Sequence, residues 1–509
     1  MEKVVEMRRS LGVALVALVA LAAVAWPAAA AAADPARTGQ RAAGDFNGDG
    51  FADLAVGAPG EDVGAAGDAG AVNVLYGSAG GLQPTADVFV QGSSGVGGAR
   101  EDNDRFGAAV ARGDFNGDSI LDLAVGAPGE VVGSAVNAGA VNVLHGSGGG
   151  LTGGPVLIQP NAEAGDLFGS ALAAGDFDGD GFFDLAVGVP GENVGAVGNA
   201  GAVTVLFGSA LGLTTAGSQT LFQGGSGVAG AAEESDTFGL SLASGLLVGD
   251  AVADLVVGVP GEDVGGTLGA GAVNLLVGSP GGLVNGSLAT QGNPERGDGF
   301  GGAVATGDFD DTAGDDVAVG VPGETVGGAL GAGAVSVFNG PPGGLAAERL
   351  LFQGTAGIPG NPEERDFFGR VLAPTDSNGI GQWDLAVGVP GEDLGPDVDA
   401  GAVNLLAGSA AGPSGGSLVL QGNPEDLDGF GSAIAGGFFL HDFDNNGFFD
   451  LAVGAPTETV GVGAGGAGAV SVYYASGGGM LTPGPVFTQG AGGLGGTPEV
   501  ADLLGEALE

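Results

Sequence analysis

Short apolar runs separated by Gly- and Asp-rich stretches recur along the chain. Asp53-Leu-Ala-Val-Gly-Ala58 alternates larger and smaller apolar side chains, as a strand pressed between two layers does, and Pro59-Gly60 stops it. Gly70 to Tyr76 predicts a second strand, ended by Gly77-Ser78. Val88 to Gln91 predicts a third, closed by Gly92, and Phe106 to Arg112 a fourth. No stretch outside the N-terminal segment carries helical periodicity. Four short strands with turn signals between them describe one blade of a propeller.

The unit repeats. Asp-Leu-Ala-Val-Gly-Ala-Pro recurs, with small changes, at Asp122, Asp184, Asp254, Asp316, Asp384 and Asp450, at spacings of 62 to 70 residues. A length of 509 residues would by itself suggest about three domains. Repeats of this length stack on one another instead, so the expectation is an all-β, seven-bladed β-propeller of four-stranded antiparallel blades over residues 44–509. Each later repeat begins with an Asp-x-Phe-Gly strand (Asp104, Asp166, Asp236, Asp298, Asp366, Asp428), and the first lacks one. Its counterpart stands at the C-terminus as Asp502-Leu-Leu-Gly505, so the C-terminal strand is expected to close the first blade and remove two sheet edges.

Just before each apolar run lies an Asp-rich loop. Side-chain oxygens at positions 1, 3, 5 and 9, a backbone carbonyl at 7 and Gly at 6 suit a hard cation, and calcium best, because the motif offers oxygen and no His or Cys. The first loop offers Asp45, Asn47, Asp49, Asp53 and the carbonyl of Phe51; the second Asp114, Asn116, Asp118, Asp122 and Ile120, with Ser119 in place of glycine. The third offers Asp176, Asp178, Asp180, Asp184 and Phe182, and the seventh Asp442, Asp444, Asn446, Asp450 and Phe448. Two carboxylates 4 Å apart repel by about 4 kcal/mol at an effective dielectric of 20, so three converging would open a loop that held no cation. The fifth loop keeps a weaker set in Asp308, Asp310, Thr312 and Asp316, the sixth puts Ile380 at position 5, and the fourth retains only Asp250 and Asp254. The expectation is four to five calcium ions, with none in the fourth loop.

With Phe106-Gly107 before a loop and Val56-Gly57-Ala58-Pro59 after one, the chain resembles the FG-GAP repeats of the integrin α-chain propeller and its bacterial relatives. The resemblance implies structural calcium in the loops between the first and second strands of blades, on the face away from the usual ligand-binding surface. Integrins place such loops in blades four to seven. Here the fullest sets stand in blades one to three and seven, so the likeness is one of repeat type.

Composition narrows the setting. Gly is 112 residues, yet 44% of the chain is hydrophobic and arranged in periodic runs, which argues for turns between strands over disorder. Lys3, Arg8 and Arg9 precede an apolar run from Leu11 and an alanine tract to Ala33, which predicts a signal peptide at 1–33, a short linker at 34–43, and a secreted or cell-surface protein with no membrane insertion after cleavage. The absence of Cys excludes disulfides and thiolate metal sites. Residues 34–509 carry 9 Arg and no Lys against 58 Asp plus Glu, a formal charge of −49, which excludes nucleic acid and favours cations or basic partners.

On the face opposite the metal loops, Glu61, Glu130, Glu192, Glu262, Glu324, Glu392 and Glu458 follow the Pro-x step of every repeat. They form either a docking ring for cationic ligands or a set of loop anchors; strict repetition favours anchors. Arg112-Gly-Asp114 and Arg296-Gly-Asp298 spell an adhesion tripeptide, but both fall inside the repeat pattern. His145 and His441 have no catalytic partner in the sequence. Two function classes follow: a calcium-binding extracellular module for protein or carbohydrate, and a hydrolase-associated or catalytic propeller. No nucleophile with a base is visible, so a non-enzymatic binding or adhesion role is favoured.

Overall fold

The computed structural model describes residues 44–509 apart from 94, 226, 313, 341–344, 356, 437–440, 462–464 and 491–493. The expected signal peptide and linker, 1–33 and 34–43, lie outside the described residues. Seven antiparallel sheets form a seven-bladed propeller. In the second blade the strands Ala109–Gly113, Asp122–Ala127, Ala140–His145 and Thr152–Leu157 pair in sequence order. The other blades repeat that order, and among the described residues no helix is long and apolar enough to cross a membrane.

The strand after the metal loop is buried along its whole length, as in Leu54–Ala58, because neighbouring blades cover both of its faces. The apolar cores therefore lie between blades. The cluster joining blades one and two holds Phe46, Val72, Val74 and Phe106 with Leu123, Val125 and Leu144, and six others join the remaining neighbours. Two phenylalanine sets carry much of this packing. One stands at loop position 2 (Phe46, Phe115, Phe177, Phe309, Phe443) and the other in the Asp-x-Phe-Gly segments, all fully buried.

That segment departs from the expected strand. Phe106-Gly107 is a turn, and the strand begins only at Ala109. The residue before the phenylalanine adopts a left-handed backbone even where it carries a side chain, with φ of 56° at Arg105 and 59° at Leu167. The turn brings the two halves of the repeat signature together. Gly107 N donates to the Gly126 carbonyl at 2.9 Å, while a Cβ on Gly57 of the preceding blade would lie 2.1 Å from the Gly107 oxygen. Only glycine fits there.

The last strand closes the ring as expected. Gly505 N donates to Gly57 O at 2.8 Å, Gly57 N to Ala507 O at 2.9 Å, and Ala55 N to Glu509 O at 2.7 Å, so this segment takes the innermost place in the first blade. Leu504, buried completely, fills the position that phenylalanine holds in the other repeats. The innermost strands surround an axial cavity of about 160 Å³ lined by small residues such as Ala111, Ala174, Ser244 and Thr306.

Candidate functional site

Loop position 9 is the most deeply set of the expected ligands. Asp53 Oδ2 accepts from Phe46 N at 2.8 Å and its Oδ1 from Gly77 N at 2.9 Å, tying the loop to the turn after the next strand. Asp122, Asp184, Asp254, Asp316, Asp384 and Asp450 repeat both bonds within their own blades. Asp254 makes them although Leu246 and Val248 leave its loop without side-chain ligands at positions 1 and 3. Position 9 is thus an architectural carboxylate as well as a candidate ligand, a role the sequence reading did not separate.

Position 1 organises the turn. Asp45 Oδ1 accepts from Gly48 N, and its Oδ2 from Gly50 N at 2.8 Å; Asp114 and Asp176 take equivalent amides, and Asp442 takes those of Asn446 and Gly447. Ser119, which replaces glycine at position 6, takes φ of 73° and keeps the turn. The position-7 side chains lie over the preceding blade's loop: a Cβ on Gly48 would sit 3.6 Å from Ile120, and one on Gly117 2.5 Å from the Phe182 ring. Phe448 covers Gly379 in the same way, and Phe51 lies beside Gly77 of its own blade.

Positions 1, 3 and 9 converge. Asp176, Asp178 and Asp184 each offer an oxygen within 4.8 Å of the others, as do Asp308, Asp310 and Asp316, and Asp442, Asp444 and Asp450. Position 5 lies outside these groups: Asp180 binds the Phe182 amide, Asp49 the Phe51 amide, Asp118 the Ile120 amide, and Asn446 the Phe448 amide. In the first two loops position 3 is asparagine. Asn47 accepts from Asp49 N and Asn116 from Asp118 N, and Asn116 also turns its amide nitrogen toward Asp122 at 3.2 Å. His145 Nδ1 also lies 3.5 Å from Asp122, and the nearby carboxylate raises the imidazole pKa. The second loop therefore holds two nitrogens beside the carboxylate that a cation would need. In the fifth, Asp308, Asp310 and Asp316 converge, with Asn339 Nδ2 donating to Asp310 at 2.7 Å and Thr312 N at 3.0 Å. In the sixth, Ser377 and Asn378 already occupy both oxygens of Asp384.

The donor chemistry fits a hard divalent ion. Burial pushes Asp53 up to about 8 and Asp184, Asp316 and Asp450 up to about 7, and neighbouring loop carboxylates push the same way. Acid oxygens crowded so closely need a cation or protons to stay together.

The opposite face answers the glutamate question. Glu130 accepts from Gln91 Nε2 of the preceding blade at 2.7 Å, and the same clasp joins Gln159 to Glu192, Gln223 to Glu262, Gln291 to Glu324, Gln353 to Glu392, Gln421 to Glu458 and Gln489 to Glu61. The glutamates are interblade anchors. Each partner is the Gln that ends the outer strand of the preceding repeat, 33 to 39 residues before the Glu in six of the seven pairs.

Neither adhesion-type tripeptide is displayed. Arg112 is 1% exposed, and so is Asp298. Arg112 Nη1 lies 2.6 Å from His441 Nε2 and its Nε 3.3 Å from Glu509. Arginine can only donate, so His441 accepts through an unprotonated Nε2, and burial holds its pKa well below the usual range. These three residues join blades one, two and seven around the axis.

With this geometry in place, the profile of the FG-GAP repeat matches residues 42–75, 106–144, 168–206 and 439–473. The chain carries FG-GAP repeats. The four matched segments contain the first, second, third and seventh loops, those with the fullest ligand sets. Among relatives, rat phosphatidylinositol-glycan-specific phospholipase D is 39% identical over 150 residues, 29% of this chain and 18% of that protein. Integrin alpha-5 of Xenopus laevis is 32% identical over 268 residues, 50% of this chain and 23% of the integrin. Integrin alpha-PS5 of Drosophila melanogaster is 38% identical over 157 residues, 29% of this chain and 14% of the integrin. The matched region spans less than a quarter of each of these relatives.

Proposed function

We propose that this chain is an exported, calcium-stabilised propeller that acts as an interaction or adhesion module for an extracellular protein or carbohydrate. Calcium fills the first, second, third, fifth and seventh loops through positions 1, 3 and 9, completed by position 5 and the position-7 carbonyl. The observation that carries this reading is the convergence of Asp176, Asp178 and Asp184, repeated in two further loops on the same face. The partner surface is the other face. There Val136, Leu268, Leu330 and Val398 stand at equivalent loop positions, each about half exposed, amid an acidic surround suited to a basic ligand. Similarity to integrin alpha chains supports the binding role, while the phospholipase relatives support the rival, a hydrolase-associated propeller.

Thermal melts in excess calcium and in chelator test the scaffold. A site present only in the folded state adds about 2.7 kcal/mol at a calcium concentration 100 times Kd, so five such sites together should raise Tm by roughly ten to fifteen degrees. Equal melting temperatures would refute the calcium assignment. For binding, a glycan and extracellular-protein array should show a signal that Leu268→Asp with Leu330→Asp abolishes at unchanged Tm; a signal that survives would move the partner off this face.

A further inference from the structure

The seven metal-type loops are joined in series around the ring. In every blade the residue at loop position 8 donates its backbone amide to the position-1 carbonyl of the preceding blade's loop. Leu121 N reaches Asp45 O at 3.3 Å, Phe183 N reaches Asp114 O at 3.1 Å and Ala253 N reaches Asp176 O at 2.9 Å. Asp315, Trp383 and Phe449 continue the series onto Leu246, Asp308 and Asp376, and Ala52 N closes the circle on Asp442 O at 3.3 Å. Two further ties run beside these bonds. Ser78 N donates to Phe443 O, Ser147 N to Phe46 O and Ser209 N to Phe115 O, while the position-7 side chains Ile120 and Phe182 lie over Gly48 and Gly117 of the preceding loops.

Positions 7 and 8 share one planar trans peptide group, whose C=O and N–H point in opposite directions. The carbonyl a loop offers to its own cation and the amide that holds the preceding loop are therefore two ends of one rigid unit. Once the Ile120 carbonyl is coordinated, the Leu121 amide becomes a stronger donor to Asp45 O, because polarisation passes along a chain of such groups. Asp45 is itself the position-1 ligand of its loop, and its carboxylate orders the amides of Gly48 and Gly50. Ordering one loop thus reduces the entropy that its neighbour must lose to bind.

The links are uniform, but the ligand sets are not. Loops seven, one, two and three follow one another along these links and carry the fullest sets. Loop four has Leu246 and Val248 at positions 1 and 3, and in loop six Ser377 and Asn378 occupy both oxygens of Asp384. Loop five, with Asp308, Asp310 and Asp316, stands alone between those two. Resting on the loop calcium assigned above, we propose that loops seven, one, two and three bind calcium as one cooperative run, and that loop five binds its ion independently. The second loop depends on the run most. Asn116 Nδ2 and His145 Nδ1 stand beside its Asp122, so this site gains most from ordered loops on either side.

His145 reports on the second loop, since it lies beside Asp122, and the other histidine, His441, belongs to blade seven. Its ring signals in nuclear magnetic resonance, followed through a calcium series on the full chain, test the coupling. In the unmodified chain the His145 transition should be steeper than a single-site curve. That steepness is read without any substitution, so a poorly folded variant cannot obscure it. Asp178→Ala, which removes the loop-three ion, should raise the calcium concentration at the His145 midpoint by about fivefold or more, the size of ordinary coupling between sites. Asp310→Asn, in the separated fifth loop, should leave that midpoint within about twofold, as independent sites do. An Asp178→Ala midpoint that stays put, or a single-site curve in the unmodified chain, would overturn the coupling and leave calcium in the loops. An equal shift in both variants would overturn the independence of loop five. A His145 signal that ignores calcium would overturn the ion in loop two, and the cooperative run with it.

Discussion

Removing the C-terminal strand should unfasten the whole ring, and the contacts of residues 500–509 say how strongly. Leu504 is completely buried and Leu508 is 8% exposed, both in the cluster that joins blades seven and one. Truncating a buried leucine to alanine costs about 2 to 5 kcal/mol. The deletion also takes away the hydrogen bonds between Gly505 to Glu509 and Ala55 to Gly57, each contributing about 1 kcal/mol. It strips Arg112 of the Glu509 carboxylate, and breaking a buried ion pair costs about 3 to 5 kcal/mol. Any two of these losses reach the lower end of the 5 to 15 kcal/mol that holds a typical domain together. The deletion should therefore abolish the cooperative transition and, by baring a sheet edge, promote association. Leu504→Ala gives a graded version that still folds. Its urea midpoint, read from Trp383, the only tryptophan after Trp26, should fall by the equivalent of about 2 to 5 kcal/mol. A loss below about 0.5 kcal/mol in Leu504→Ala, or an unchanged Tm in the deletion, would refute the closure argument.

Two further outcomes follow from buried polar groups. In chelator, the loop carboxylates Asp53, Asp184, Asp316 and Asp450 have folded-state values of about 7 to 8, above their unfolded values, so their contribution is present in acid and lost as pH rises through 7 to 8. Melts of the calcium-free chain should thus show higher Tm at pH 5 than at pH 8, and the order should reverse in calcium, where protons compete with the ion; a chelated Tm that climbs with pH would contradict this. Gln353→Leu, which leaves the buried Glu392 without its clasp, should cost about 1 to 3 kcal/mol in urea unfolding, and a double-mutant cycle with Glu392→Gln showing no coupling would exclude the clasp as a source of stability.

Elements repeated within the chain were legible because seven copies expose one pattern. The blade count, the register of Asp53-Leu-Ala-Val-Gly-Ala58 and the vacancy that Asp502-Leu-Leu-Gly505 fills could all be read by comparing copies. Features that depend on backbone conformation were not. Phe106-Gly107 looks like the start of a strand, yet the left-handed Arg105 before it makes a turn, and arginine does not announce that conformation. Contacts between blades were hidden for another reason. Gln91 and Glu130 sit in different repeats, and Arg112 meets His441 across 329 residues, so neither pair belongs to any local motif.

Position 9 shows why the loops differ so much in metal chemistry while the blades do not. Its carboxylate fastens two backbone amides in every repeat, so Asp254 is needed even where Leu246 and Val248 replace the ligands beside it. Positions 1 and 3 carry less of the fold: Leu247 N and Val248 N reach Asp254 directly, and the fourth blade keeps the register of its neighbours. A loop can therefore lose its ion without losing its blade, which is the condition under which a propeller can spread calcium unevenly around its ring. It also follows that replacing Asp254 should destabilise the protein with or without calcium, whereas replacing Asp178, which lacks those two amide bonds, should act mainly through the ion.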